Sequence, residues 1–346
     1  MPDRGPDPSD LRRGARDALL ARAGWSDARR VPLAGDASPR RYDRLHRPDG
    51  ATAVLMDADP ATGEDVRPFL AIARHLAALG LSPPAILAED TRHGFLILED
   101  LGDALYARVA AADPAAEPML YDAAVDVLAH LQAQPPPPGL ADYDAPAMGA
   151  AASLAATWYA SDATGAEADA AALADLVAEA VATLPGPRVI ALRDYHAENL
   201  LWLPDRAGLR RVGLLDFQSA ERAPAAYDLV SLVQDARRDV SAEVAARAVA
   251  RFAEATGANL DATEHAVAVL GSQRALRILG VFARLCLRDG KPGYLRLIPR
   301  VWAQLQANLA APALAPLARH VARTLPPPSE AVLAGLAARC GTIPAR

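Results

Sequence analysis

Of the 36 basic residues in this 346-residue chain, a single one, Lys291, is lysine. Arginine carries the remaining positive charge, so any site that needs a pliable ammonium must do without it. Cysteine is nearly as scarce. Cys286 and Cys340 are too few for a disulfide framework and lack metal-ligand spacing; Cys286 lies in an apolar helical run and reads as a buried core thiol. Aromatics make up 5% of the chain against 52% hydrophobic residues, so the apolar bulk is largely alanine and the body should be helix-rich. No apolar run reaches the roughly 18 residues of a membrane span. The polar, Pro-rich start, Met-Pro-Asp-Arg-Gly-Pro-Asp-Pro, has no apolar core of a secretory signal. An excess of positive charge is lacking too: a net charge of -6 and a pI near 5.7 argue against nucleic acid or an anionic membrane as partner. These absences leave a soluble cytoplasmic protein, long enough for two lobes and read as a monomer.

One stretch concentrates groups able to do chemistry together. Val189 to Gln218 contains Asp194, Asn199 and Asp216. Its turn Asp205-Arg206-Ala207-Gly208 separates two apolar runs of strand length, 199–203 and 211–217, and so predicts a hairpin. With Ala207-Gly208 at the tip, paired positions sum to about 415 and Asn199 falls opposite Asp216. An amide oxygen beside a carboxylate at the open end of a hairpin suits Mg²⁺, which prefers hard oxygen ligands. Asp194 lies on the loop leading into Asn199, where a base beside that metal would be needed.

The flanking chain supplies a setting. Residues 1–10 read as a disordered tail, and 10–23 as a first helix stopping at Gly24. Strand-like runs at Val31–Leu33, Arg41–Leu45 and Ala51–Asp57 precede an amphipathic helix over Glu64–Leu79. Ala85–Ala88 and Phe95–Leu98 complete an antiparallel sheet of about five strands. After Glu99-Asp100-Leu101-Gly102 the pattern turns helical: 104–133, 150–183, then 226–238, 242–256, 261–288, 295–310 and 329–339. Pro135–Pro138 reads as a stiff connection between helices. The expected fold is α+β in two lobes: 11–100, a small antiparallel sheet with one helix, and 101–346, mainly helical.

That layout, with its two motifs in order, resembles the protein-kinase-like phosphotransferases. Leu192-Arg193-Asp194-Tyr195-His196-Ala197-Glu198-Asn199 parallels the kinase catalytic loop, and Asp216-Phe217-Gln218 parallels the metal-binding Asp-Phe-Gly. His196, two places after the aspartate, and Ala225-Ala226-Tyr227-Asp228-Leu229 resemble the aminoglycoside phosphotransferase family. The resemblance implies a catalytic role for Asp194, Mg²⁺ ligation by Asn199 and Asp216, and a structural role for Asp228 in holding the loop; His196 is either a catalytic donor on the phosphate side or a buried, hydrogen-bonded brace for the loop. It implies ATP, or GTP, as donor. The nucleotide side departs from the pattern: Gly35-Asp36-Ala37-Ser38-Pro39-Arg40-Arg41 has one glycine, and Met56 stands where a strand lysine is expected. Phosphate binding is then expected from Ser38, Arg40, Arg41 and Arg44, and adenine binding from the backbone of Glu99 and Leu101.

Four strings narrow the resemblance to the bacterial anomeric sugar kinases, which phosphorylate N-acetylmuramate and N-acetylglucosamine in cell-wall recycling: 35–42, 54–58, 95–102 and 193–200. Arg274, Arg277, Arg284 and Arg288 recur along one long helical segment. An acidic sugar suits arginine better than a polycationic aminoglycoside does. Arg284, inside the apolar run Val281–Leu287, is expected to point inward and, with Arg274, to bind substrate. Two other readings stand beside this one: a kinase of the same fold for an aminoglycoside, choline or homoserine type of substrate, and a non-catalytic pseudokinase, suggested by the missing lysine and glycines.

Overall fold

The computed structural model describes residues 8–33, 39–160 and 169–344. Its contacts divide the chain into two compact units, Met1–Ala112 with Glu198–Ser219, and Asp113–Ala197 with Ala220–Arg346. The hairpin that sequence grouped with the helical lobe therefore belongs to the sheet unit, and residues 101–112 go with it.

The first unit opens with helix α1 (Pro8–Arg22). Residues 8–10, expected in a tail, are thus helical, while 1–7 lie outside the described residues. Five strands follow, β1 (Arg29–Pro32), β2 (Arg41–His46), β3 (Thr52–Asp57), β4 (Ile86–Asp90) and β5 (Phe95–Glu99), paired antiparallel in the order β1-β2-β3-β5-β4. The β2–β3 turn closes at Gly50, whose φ of 87° suits glycine. Leu45, Ala53, Leu55, Phe95 and Ile97 pack on Leu19, Leu20 and Trp25. The alternate residues Met56, Leu96 and Leu98 are buried as well. With both faces covered, β5 reads as an unbroken apolar run rather than an alternating one. Helix α2 (Arg67–Ala78), inserted after β3, buries Phe69, Leu70, Ile72, Ala73 and Leu76. It starts three residues later than its apolar pattern suggested, because Pro68 favours the first turn of a helix and Asp65 accepts the Arg67 N–H.

Helix α3 (Tyr106–Ala112) and the hairpin strands Leu200–Trp202 and Val212–Leu214 complete this unit. The hairpin is anchored at several points. Leu214 N–H donates to Ser82 O, Trp202 N–H to Ala104 O, and Arg206 pairs with Glu99 at 2.5 Å.

The second unit holds helices α4 (Glu117–Gln132), α5 (Ala145–Ala152), α6 (Ala170–Ala182), α7 (Tyr227–Val233), α8 (Ala242–Thr256), α9 (Leu260–Leu287), α10 (Ile298–Leu309), α11 (Ala315–Thr324) and α12 (Glu330–Ala338). Strand Arg188–Ala191 pairs antiparallel with Glu221–Pro224, bracketing the central stretch. The helical segment expected over 104–133 is broken at Pro114, and α11, between two prolines, has no helical signature long enough to announce it. Helix α9 is the spine. It is the one described helix long and apolar enough to cross a membrane, yet 67% of its apolar window is buried, and Cys286 near its end is fully enclosed. Gly280 lets the helix approach the Leu154 backbone: a Cβ there would stand 2.2 Å from Leu154 C.

Candidate active site

In the second unit the residues around Asp194 form a loop tied from several sides. Leu192 N–H donates to Asp228 Oδ2 at 2.6 Å and Arg193 N–H to Asp228 Oδ1 at 2.9 Å. The Arg193 carbonyl accepts from Ser231 Oγ at 3.1 Å and from the Arg274 guanidinium at 3.2 Å. Arg193 side chain pairs with Glu221 at 2.6 Å and lies 4.6 Å over the Tyr143 ring. These restraints hold Arg193 at φ 73°, a left-handed conformation that costs a non-glycine residue roughly 1 kcal/mol. The Tyr195 hydroxyl fixes the next turn by donating to Ala124 O at 2.8 Å. Between these anchors Asp194 is partly exposed and lines a cavity with His196, Asp235, Arg277 and Phe282.

Asp228 and Ser231, one helical turn apart on α7, both act on Arg193, and Asp228 on Leu192 as well. Burial pushes the Asp228 carboxyl up to about 6, against the pull of the two backbone N–H groups and Arg274. Protonation would remove the charge that both N–H groups bind. Turnover should therefore fall as pH drops through about 6. Asp228→Asn, neutral at every pH, should lower kcat at neutral pH by roughly tenfold or more and flatten that acid limb; a variant profile that keeps the wild-type limb would contradict the assignment.

Several expected roles change here. His196 is 6% exposed, and its Nε2 faces Arg237 Nη1 at 3.2 Å. Burial lowers its pKa, with Asp235 pulling the other way. A neutral ring accepting from Arg237 fits the second of the two roles expected of His196, a brace for the loop. Arg274, expected to bind substrate, lines the cavity, but it is 6% exposed, donates to Ser231 Oγ at 2.6 Å and covers the Tyr227 ring, so it also supports the loop. Arg284 does not line the cavity. It sits seven residues, about 10 Å, further along α9 than Arg277, which does.

The hairpin in the first unit carries Asn199 and Asp216. Its register is Leu200↔Leu214, Leu201↔Gly213, Trp202↔Val212. Leu215 N–H donates to Asn199 O at 2.9 Å, so Asn199 stands opposite Leu215, one residue off the expected pairing with Asp216. The 3₁₀ turn Gly208–Arg211 lengthens the connection and shifts the register. Asp216 follows at φ 55°, which swings the chain out of the strand, and Phe217 then stacks on Phe69 with ring centroids 4.8 Å apart. The exposed Asp216 carboxylate accepts from Gln218 Nε2 at 2.6 Å. One amide and one carboxylate are a hard-oxygen donor pair; among the described residues no cluster of three or more His, Cys, Asp or Glu could hold a metal. Two protein ligands suit Mg²⁺, which keeps waters and substrate phosphates in its remaining positions.

Of the residues expected to bind nucleotide, Ser38 lies outside the described residues. Arg41 is exposed on β2. Arg44 is held by Asp100 and Asp103, both at 2.9 Å, and so ties β2 to the segment after β5 rather than standing ready for phosphate. The Glu99 N–H is taken by Ala85 O at 2.8 Å and its carboxylate by Arg206, leaving the expected backbone donor engaged within the sheet. Leu101 is partly exposed and packs against Gly213 of the hairpin. Arg40 pairs with Glu64 at 2.6 Å, both side chains mostly covered, at 11% and 16% exposed. Tyr42, beside Arg40, feels the charges of Asp216 and Glu64. Tyr42 is also the cross-strand partner of Met56, the residue at the lysine position. Sequence alone gave Glu64 no role, since an acid just ahead of a helix is ordinary.

An N-acetylmuramate/N-acetylglucosamine kinase of Caulobacter vibrioides is 40% identical, over 92% of this chain and 98% of its own. The fold is similar to that of a choline/ethanolamine kinase family protein from Mesorhizobium loti, with a TM-score of 0.59 at 15% identity, covering 95% of this chain and 99% of that one. It is also similar to the aminoglycoside phosphotransferase in a streptomycin–ATP ternary complex, with a TM-score of 0.56 at 11% identity over 90% and 98% of the two chains. Residues 29–267 match the profile of the phosphotransferase enzyme family, a span that contains the tied loop, the hairpin and the sheet alike; the chain belongs to that family.

Proposed function

We propose that this protein transfers the γ-phosphoryl group of ATP to the anomeric hydroxyl of N-acetylmuramate or N-acetylglucosamine, in the cytoplasm. The observation that carries the reading is the 40% identity to a kinase of that name across nearly the full length of both chains. The tied loop agrees with it, because such restraint around one partly exposed carboxylate suits a group that must orient a hydroxyl. Asp194 would take the hydroxyl proton or hold it in line for attack. Phosphoryl transfer asks little covalent chemistry of the protein, so positioning and charge neutralisation dominate. Asn199 and Asp216 would hold Mg²⁺, which when bound offsets the phosphate charge. The first unit would take the nucleotide and the second the acceptor. The presence of Asp194, Asn199 and Asp216 together favours an active enzyme over a pseudokinase.

Arg40 is our candidate for the cation that replaces the missing strand lysine. Its pairing with Glu64 parallels the kinase lysine–glutamate pair, which aligns a cation on the phosphates. Arg40→Ala should raise the KM for ATP by roughly 10- to 100-fold and leave the sugar KM nearly unchanged. Steady-state kinetics with each substrate varied in turn checks this; an unchanged KM for ATP would return the role to another residue. The function itself is tested with a panel of acceptors under Mg²⁺-ATP. N-acetylated amino sugars should be turned over at least 100-fold more efficiently than choline, homoserine or an aminoglycoside, on the order of the discrimination a polar site achieves. Comparable rates on choline would favour the second reading.

A further inference from the structure

Arg277, a cation of the second unit, has no hydrogen-bonding or ion-pair partner among the described residues. Arg277 projects from α9 into the cavity that Asp194 and His196 also line. Its guanidinium makes no hydrogen bond or ion pair there, whereas Arg274 and Arg237, which line the same cavity, are committed. Arg274, one turn away, is bonded to Ser231 Oγ and the Arg193 carbonyl. The groups near enough to feel Arg277 are Tyr227, Tyr143, Asp194 and Glu221. Glu221 is already paired with Arg193 at 2.6 Å, and Arg193 also covers Tyr143.

A guanidinium partly withdrawn from water needs an anion or a set of acceptors to offset its lost hydration. Asp194 supplies part of that field but is the group expected to meet the acceptor hydroxyl. The cavity wall beyond Arg277 is apolar, built from Ile278, Val281 and Phe282, so it offers no acceptor of its own. An anion entering this cavity meets Asp194 and Asp235 but also three arginines; Arg274 is bonded to Ser231 Oγ and Arg237 to the His196 ring, so Arg277 is the one with no hydrogen bond or ion pair among the described residues. N-acetylmuramate differs from N-acetylglucosamine by a lactyl ether that carries a carboxylate. An arginine binds a carboxylate through two parallel N–H bonds, a geometry lysine does not offer.

We propose that Arg277 receives the carboxylate of the acidic acceptor and sets how far this enzyme prefers N-acetylmuramate over N-acetylglucosamine. The role is the one sequence gave to Arg284, moved two helical turns back to an arginine that lines the cavity. It rests on the function proposed above and goes further, since that function is satisfied by either sugar.

The test is the kinetics of Arg277→Met on both sugars, with Arg284→Met alongside. Arg277→Met is expected to raise the KM for N-acetylmuramate about 10- to 100-fold, with kcat and the N-acetylglucosamine constants within about threefold of wild type. Arg284→Met should leave the ratio of the two sugars unchanged. Equal losses on both sugars, or no change on either, would overturn the assignment, as would a selective effect of Arg284→Met. Wild-type protein compared on N-acetylmuramate and its lactyl carboxamide reads the same contact without a variant that must fold. The carboxamide should show the same rise in KM, and equal use of acid and amide would overturn the proposal. Failure of the underlying function would be seen differently, as wild-type protein that phosphorylates neither sugar.

Discussion

Asp194→Asn is expected to lower kcat by about 100- to 10,000-fold, the usual contribution of a positioned general base. Binding of ATP should survive, because the loop's restraints lie elsewhere. Asp228 holds the N–H groups of Leu192 and Arg193, Ser231 and Arg274 hold the Arg193 carbonyl, and Tyr195 is pinned to Ala124. The substitution keeps the side chain's size and removes its charge and its ability to accept a proton. Activity within tenfold of wild type would remove Asp194 from the role. Loss of ATP binding together with turnover would mean that the loop had come apart, which intact near-UV circular dichroism and thermal unfolding would exclude.

The second large effect is expected at Asp216. Asp216→Asn keeps a residue that tolerates the left-handed backbone at φ 55° and so isolates the carboxylate charge from the turn that carries it. Turnover at a fixed low Mg²⁺ concentration should fall by roughly 1,000-fold, and higher Mg²⁺ should recover part of it, since a weakened metal site is refilled by mass action. A Mg²⁺ titration of activity reads both. An unchanged half-saturating Mg²⁺ concentration would mean that Asp216 does not bind the metal. The Phe69–Phe217 stack does not involve the carboxylate, so the variant should melt near the wild-type temperature.

The parts of this protein that sequence disclosed are those with short-range signatures. The five-strand sheet and its inserted helix followed from apolar runs and Gly or Pro turns, and spacing placed Asp194 on a loop and Asn199 and Asp216 at the open end of a hairpin. What sequence missed depends on residues distant in the chain. The hairpin register slipped by one because the connection closes through a 3₁₀ turn, Gly208–Arg211, instead of a two-residue tip. The hairpin went to the wrong unit because its anchors, Ser82 and Ala104, are remote from it in the chain. The arginines were misassigned for a related reason. Arg274, Arg277 and Arg284 share one helical periodicity, and only their neighbours decide their fates. Arg274 and Arg277 both line the cavity, but Ser231 and the Arg193 carbonyl engage Arg274, while Arg284 lies outside it. Of the two roles sequence left to His196, the Arg237 contact at its ring favours the brace, and no local pattern announces that contact. Glu64 had a weaker signal that could have been used: a chain without the strand lysine but with Arg40 invites a search for a carboxylate near the start of the inserted helix.

The central claim is that a phosphoryl group moves from ATP to an anomeric oxygen. The measurement that tests it most directly is one- and two-dimensional NMR of the product formed from N-acetylmuramate, or N-acetylglucosamine, with Mg²⁺-ATP. A phosphorus resonance coupled to the anomeric proton, appearing in step with ADP and absent with Asp194→Asn, is the predicted result. Phosphate coupled to any other sugar proton, or ADP formed with no phosphorylated sugar, would contradict it.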